Sequence, residues 1–223
     1  SGAILITDKE LSSWQLSNPV GYADWFKTRM LVQYNAKRML VAESLRASVQ
    51  EVPDYKVKTP LQRSIQILKR HRDIMFAADR DDSPISIIIS TLAALAYNNE
   101  ADLLYALQNI VNGMSRYIEN RDGVAWVTNP VNPLENFADK WQKHPQREAK
   151  FRQWLRQIQT DMDTALRKSD VGDMAESLKP RFGDRIINGA VSKAFPASYG
   201  TASAVLSAAP YINISKPSRP WGM

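Results

Sequence analysis

The sequence predicts an all-α fold: a single multi-helix domain of about six to eight helices with one short N-terminal strand. Three observations predict it. Apolar residues recur at spacings of three and four over long stretches, most cleanly at Leu103, Leu107, Ile110, Met114 and Tyr117. Two segments open on a hydroxyl residue followed by proline, Thr59-Pro60 and Ser83-Pro84, the pattern of a capped helix start. A single β-type run, Ala3 to Thr7, stands apart from them.

That run reads as a strand with nothing downstream to pair with, which implies a partner N-terminal to it. After Trp14 and the turn signal Ser17-Asn-Pro-Val-Gly21, a helix is expected from about 22 to 49. Its apolar arc is Tyr22, Trp25, Phe26, Met30, Tyr34, Met39 and Leu40, and Pro53 then marks a linker.

The next helix begins at Thr59 and carries cations. Steps of about 100° put Leu61, Ile65, Leu68, Met75 and Phe76 on one arc, with Gln62, Gln66, Arg70 and Asp73 opposite. Lys69 lies where the polar face meets the arc. Arg72 falls inside the arc, where an arginine needs a phosphate or a carboxylate, the ordinary solution being an internal ion pair with a downstream Asp or Glu. Asp79 to Asp82 form an acidic loop, and Ser83 is expected to cap a helix whose first position is Pro84. The Ile87-Ile-Ile-Ser-Thr91 run is also compatible with a buried strand, but the cap, the length and the alanine-rich second half decide for a helix reaching Tyr97. Apolar on every side, that helix must be central. Its first turn carries free backbone N–H groups beside the Ser86 hydroxyl, a seat suited to an anion.

A helix follows from 102 to 118. Two Asn-Pro steps, Asn129-Pro130 and Asn132-Pro133, then dictate a stiff loop, and Glu135 to Trp141 begin another helix. Pro145 to Lys168 form a helix with Phe151, Trp154, Leu155, Ile158, Met162 and Leu166 inward. Shorter helices are expected at 171–178 and 182–194. From Pro196 the chain is rich in Ser, Ala and Pro without periodicity, as an extended, partly mobile tail would be. The expected organisation is a strand and linker over 1–15, a helical lobe over 16–195 and a tail over 196–223.

Composition narrows the function classes. With 223 residues, 44% hydrophobic and 23% charged, the chain can bury a core of its own. It has no cysteine and two histidines, which excludes disulfide and thiolate chemistry and argues against zinc. The longest apolar run, Ile85 to Ala96, is interrupted by Ser86, Ser90 and Thr91 and falls short of the ~20 residues of a membrane span. No secretory signal opens the chain, so a cytoplasmic setting is the default. The net charge of +6 favours anions, but no aromatic-interleaved basic stripe marks a nucleic-acid binder. No Gly-rich phosphate loop or metal-ligand spacing occurs, and neither histidine belongs to a triad. Asp161 and Asp163 resemble a two-metal pair only in spacing: on a helix they point about 200° apart and read as surface charges.

Four phrases in order carry a resemblance. They are Ser17-Asn-Pro-Val-Gly-Tyr-Ala-Asp-Trp-Phe26, Thr59-Pro-Leu-Gln-Arg-Ser-Ile-Gln-Ile-Leu-Lys-Arg-His-Arg-Asp73, Pro84-Ile-Ser-Ile-Ile-Ile-Ser-Thr91 and Asn129-Pro-Val-Asn-Pro-Leu-Glu-Asn-Phe-Ala-Asp-Lys-Trp141. Together they resemble the C-terminal helical lobe of bacterial CD-NTases, relatives of cyclic GMP-AMP synthase and oligoadenylate synthase, over roughly residues 3 to 195. The resemblance implies a nucleotidyltransferase that makes cyclic oligonucleotide second messengers from ATP, GTP or other NTPs in antiphage signalling. It also implies that Mg²⁺ or Mn²⁺ is held by carboxylates of a catalytic lobe absent from this sequence, so that this chain alone is expected to be inactive and to bind no metal.

Residue by residue, the resemblance places Lys69 and Ser86 at the donor triphosphate, with Arg72 a third, weaker candidate. The family's base-stacking tyrosine falls at Ile87, and the Asn129 to Asn136 loop is expected to be scaffold. The alternative function is a catalytically silent helical interaction module, with a regulatory protein docking on the tail from Lys216 to Met223. Binding of nucleic acid by the basic face ranks last and would weaken steeply with salt.

Overall fold

The computed structural model describes residues 4–7 and 14–194. Eight α-helices dominate the described residues: α1 (Pro19–Leu45), α2 (Pro60–Met75), α3 (Ser86–Ala96), α4 (Leu103–Gly113), α5 (Lys140–Lys143), α6 (Pro145–Leu166), α7 (Val171–Phe182) and α8 (Asp184–Ala194). The mostly helical fold is the expected one. The tail over 196–223 lies outside the described residues.

Strands are more numerous than the single one expected. β1 (Ile4–Thr7) pairs antiparallel with β2 (Trp14–Ser17), Leu5 opposite Leu16. The strand therefore has a downstream partner, within residues read as a connection. β3 (Glu119–Arg121) and β4 (Val124–Trp126) form a hairpin around Asp122-Gly123, both at positive φ (52° and 83°). This is the Asp-Gly turn whose twist suits a two-residue hairpin. β5 (Thr128–Asn129) pairs with β6 (Asn132–Asn136), so the Asn-Pro segment is a hairpin rather than a loop leading into a helix at Glu135. The Asn129 side chain makes the reversal by accepting a hydrogen bond from the Val131 N–H at 3.0 Å. The helix begins only at Lys140.

Helix α3 is the centre of the domain. Ile88, Ile89, Ser90, Thr91, Leu92, Ala93, Ala94 and Ala96 are all buried, against α2, α4 and α1. A long-range core then gathers Leu61 and Leu68 of α2, Ile110 of α4, and Phe151, Trp154 and Ile158 of α6. Burying each such side chain is worth roughly 1.5–3 kcal/mol. Gly113, at the end of α4, lets that helix approach Ala96: a Cβ there would meet the alanine methyl at 3.0 Å. Helix α4 stops at this glycine and continues as a 3₁₀ turn over Met114–Tyr117, short of the predicted end at 118.

Helix α1 departs from its expected face. Met30 and Tyr34 are buried, but Met39 and Leu40 are 62% and 64% exposed. The N-terminal half lies on the main core. The C-terminal half meets only a small cluster of Tyr34, Ala42, Val52 and Val57, with Val41 partly covered against it, so Met39 and Leu40 stay exposed.

Two polar devices hold the helices in register. Arg29 of α1 donates from Nε to the Ala94 carbonyl (2.8 Å) and from Nη2 to those of Leu95 (3.3 Å) and Tyr97 (2.9 Å), satisfying carbonyls that the end of α3 leaves free. The second corrects the reading of Asp161 as a surface charge. Its side chain is 13% exposed, and its Oδ2 meets Nε2 of the fully buried His71 at 2.9 Å and Nε of Arg181 at 3.2 Å. Gln157 donates to Oδ1 at 2.8 Å. Asp163 is exposed, as expected. Helix periodicity did place the two aspartates on different faces; only packing shows that the face of Asp161 is covered by α2 and α7.

Each device gives a prediction. Arg29→Met should lower the unfolding free energy by about 2 kcal/mol, read from the urea midpoint, because three carbonyls lose charged donors. For His71, burial holds the imidazole below its ordinary 6.5, aided by Arg181 and opposed by Asp161. As pH falls the unfolded chain takes up this proton first, so the stability contributed is full above about 6.5 and is lost as pH falls through the lower folded value. Urea midpoints between about pH 7 and pH 5.5 should therefore fall for the wild type and fall less for His71→Gln.

Candidate functional site

The end of α2 and the start of α3 meet across the acidic loop, and the meeting is made by Arg72. Its Nη1 donates to the Pro84 carbonyl at 2.9 Å and to Oγ of Ser86 at 3.0 Å. Nε and Nη2 grip Oδ1 of Asp73 at 2.8 and 2.6 Å. The internal ion pair expected of Arg72 is thus present, with the adjacent residue. The guanidinium is held on both sides and is only 13% exposed.

This arrangement corrects the predicted start of the helix. Ser83 does not cap it: its hydroxyl donates to the Arg80 carbonyl at 2.7 Å, closing a tight turn. The carbonyl of Pro84 would accept an early intrahelical bond if the helix began there, but Arg72 occupies it. Helix α3 starts at Ser86 instead, with Ile85 at the N-cap position and no side-chain cap. The first-turn N–H groups of Ser86, Ile87 and Ile88 have no hydrogen-bond partner among the described residues. A helix start with uncapped donors presents partial positive charge to whatever lies before it.

Lys69 is half-buried, one turn before Arg72 on α2. Burial holds its ammonium below the usual lysine range, and the nearby Arg72 charge adds to this while Asp73 opposes it. Two cations that disfavour each other, beside a helix start, have more to gain from an anion than either alone. Of the three residues singled out from the sequence, Arg72 and Ser86 are in direct contact, and Lys69 is coupled to Arg72 through its charge.

Arg72 and Ser86 line a cleft of about 720 Å³, together with Arg70, Asp73, Arg80 and the segment Ser83 to Ile85; Lys69 is outside that lining. The segment is a rim. On its other side a second cleft of about 820 Å³ opens between Ile87 and the hairpins, lined by Trp126, Leu134, Glu135, Phe137 and Trp141. The rim is tied down from α6 as well: Nε of Arg147 meets Oδ1 of Asp82 at 3.0 Å, and Lys150 bridges Asp82 and Asp79. The Arg147 hydrogen bond, helped by Lys150, pulls the Asp82 carboxyl below the usual carboxylate range. Sequence reading had marked 79–82 only as a loop. The cations at 147 and 150 that neutralise it lie more than 60 positions away in sequence, on a helix whose packing had to be known first.

Among the described residues no group of three or more His, Asp or Glu side chains could hold a metal ion. No described helix is long and apolar enough to cross a membrane.

No family model matches the chain. A c-di-GMP synthase of Roseivirga ehrenbergii is 30% identical over 183 residues, 80% of this chain and 47% of that protein. The cyclic dinucleotide synthase CdnG of Bradyrhizobium diazoefficiens is 29% identical over 157 residues, 67% of this chain and 37% of that protein. The solved structure of the Bradyrhizobium CD-NTase CdnG in complex with GTP shares the fold, with a TM-score of 0.65 at 21% identity over 85% of this chain and 59% of that one. The chain thus spans less than half the length of the two curated relatives it matches. The extent of that sequence identity, the shared fold and the four phrases in their order lead to one assignment: the chain belongs to the bacterial CD-NTases.

Proposed function

We propose that this chain is the helical, nucleotide-binding lobe of an enzyme that joins nucleoside triphosphates into a cyclic dinucleotide second messenger for antiphage defence. The observation that carries the reading is the junction of α2 and α3, where Arg72 fixes Ser86 at an uncapped helix start with the half-buried Lys69 one turn away. The relatives' names, and the GTP in the related structure, support the same class of ligand.

In this reading Lys69 acts as a compact positive charge on the triphosphate, relieving its repulsion with Arg72. The Ser86 hydroxyl accepts from Arg72 and so has its own proton to donate to a phosphate oxygen. The first-turn N–H groups of α3 supply further donors. Because Arg72 is already committed to Asp73, Pro84 and Ser86, its main part is to position Ser86 and the rim.

The described residues offer no carboxylate cluster fit for Mg²⁺ or Mn²⁺. On this reading, as the resemblance implies, the metal is held by carboxylates outside this chain, and no step of the transfer is assigned to this chain. What the chain contributes is binding and orientation of the nucleotide, which lowers the entropy to be lost when the reacting groups meet.

Calorimetric titration with ATP and GTP tests the reading. The wild-type chain should bind, and Lys69→Glu should weaken binding at least about tenfold, since a favourable charge becomes a repulsive one. Failure of both nucleotides to bind the wild type would leave a silent helical interaction module as the function. A second measurement concerns chemistry: radiolabelled ATP and GTP with Mg²⁺ or Mn²⁺ should give no oligonucleotide product with this chain alone. Product formation would show that the chain holds the catalytic machinery after all.

A further inference from the structure

Helix α1 has two apolar faces, and the core takes only one. On the other, every fourth residue from Lys27 forms a row whose five members are all exposed: Lys27, Leu31, Asn35, Met39 and Glu43. A second exposed row lies beside it: Thr28, Val32, Ala36, Leu40 and Ser44. Leu31 and Val32 are 42% and 61% exposed. With Met39 and Leu40 they form an apolar strip within a surface that runs along about 24 Å of helix. Exposed apolar side chains scattered singly need no explanation, but a strip of neighbours on one helix marks a contact surface.

The polar members of the rows narrow what that contact is. Thr28 and Ser44, at the two ends of the second row, donate their hydroxyl protons to their own helix, to the carbonyls of Trp25 (2.6 Å) and Val41 (2.8 Å). They can be covered without leaving a donor unsatisfied. Charge is confined to the ends of the first row, a cation at Lys27 and an anion at Glu43, and neither is in an ion pair among the described residues. Asn35, in the middle, has no hydrogen-bond partner among the described residues.

That order is self-complementary. Reversed end to end against itself, the first row sets an anion against a cation at both ends, Leu31 against Met39 twice, and one Asn35 amide against another, able to exchange two hydrogen bonds. A parallel pairing would set like charges together. Only a surface with the same order reversed matches these rows, and a second copy of this chain has it by two-fold symmetry, where residue i meets j and j meets i. Rows at four-residue spacing are also the ridges of the commonest helix packing, in which a crossing of about 50° lays the ridges of the two helices along one another. Ala36 leaves room at the centre for the two axes to approach.

We propose that the chain forms an antiparallel homodimer through these two rows of α1, with Lys27 and Glu43 of each copy paired across the interface. The dimer stands apart from the nucleotide reading, since Lys69, Arg72 and Ser86 take no part in it. A single helix pair is a small interface, so dissociation in the micromolar range is expected.

Sedimentation equilibrium of the full chain, from low to high micromolar concentration, tests it. The wild-type mass should rise from 25.2 kDa toward twice that value. Met39→Glu should hold the chain at the monomer mass throughout, with the urea midpoint unchanged because the side chain is exposed. Lys27→Glu and Glu43→Lys should each weaken the dimer about tenfold, and the variant carrying both should regain the wild-type dissociation constant. That recovery is a result that mere loss of helix stability would not give, and it stands even if Met39→Glu fails to fold. A wild type that stays at 25.2 kDa overturns the proposal and leaves the rows to a different partner, such as further chain of the length its relatives have. A dimer that Met39→Glu leaves intact, or a double variant no tighter than the single ones, overturns it as well.

Discussion

Helix α3 is apolar on every side, and a helix buried on every side must have the polar groups at its ends satisfied by the elements around it. Two arginines respond to this constraint. Arg29 reaches from α1 to the carbonyls at the C-terminal end. Arg72 reaches from α2 to the turn before the N-terminal end, where it takes the Pro84 carbonyl and sets Ser86 as the first helical residue. Neither arginine can be replaced by lysine without loss, since each uses the planar fork to bond several acceptors at once.

The two ends differ in what remains open. At the C-terminal end the carbonyls are covered. At the N-terminal end the donors of the first turn stay uncapped, with Arg72 bonded to Ser86 beside them and a cleft before them. The candidate site is therefore a by-product of how the core is closed: the requirement that α3 be central leaves one polar end facing outward, and the cations of α2 are positioned there by the same packing that buries Leu61, Ile65 and Leu68.

The hairpins wall the second cleft, on the other side of the rim. β3–β4 and β5–β6 bring Trp126, Leu134 and Glu135 opposite the rim that Arg72 and Arg147 hold. On the far face of α2 the buried His71 meets Asp161, which also binds Arg181, so the helix that carries Lys69 and Arg72 is fixed to α6 and α7 from behind. Hydrogen bonds of this kind in a core resist rotation of a helix about its axis, because a small turn would separate buried partners.

By itself, the amino-acid sequence determined the helices, since their apolar spacing is a local property that survives any choice of neighbours. It determined that the helix ending near Tyr97 is central, because no face of it is polar enough to meet water. It also made Lys69, Arg72 and Ser86 legible as residues of interest, through an arginine inside an apolar arc and a hydroxyl at a helix start, and the ordered phrases carried the family. Only the tertiary structure decided the rest. Where α3 begins depended on a side chain 12 positions earlier taking a carbonyl. Whether Asp161 met water depended on two other helices, and whether Met39 and Leu40 were covered depended on how far the core extends along α1. The Asp-Gly turn at 122–123 was a hairpin signal present in the sequence. The Asn-Pro hairpin had no comparable signal, since its pairing joins short strands whose residues carry little β pattern. Periodicity records which face of a helix is buried; it carries no information about which partner buries it, and the site is made of such partnerships.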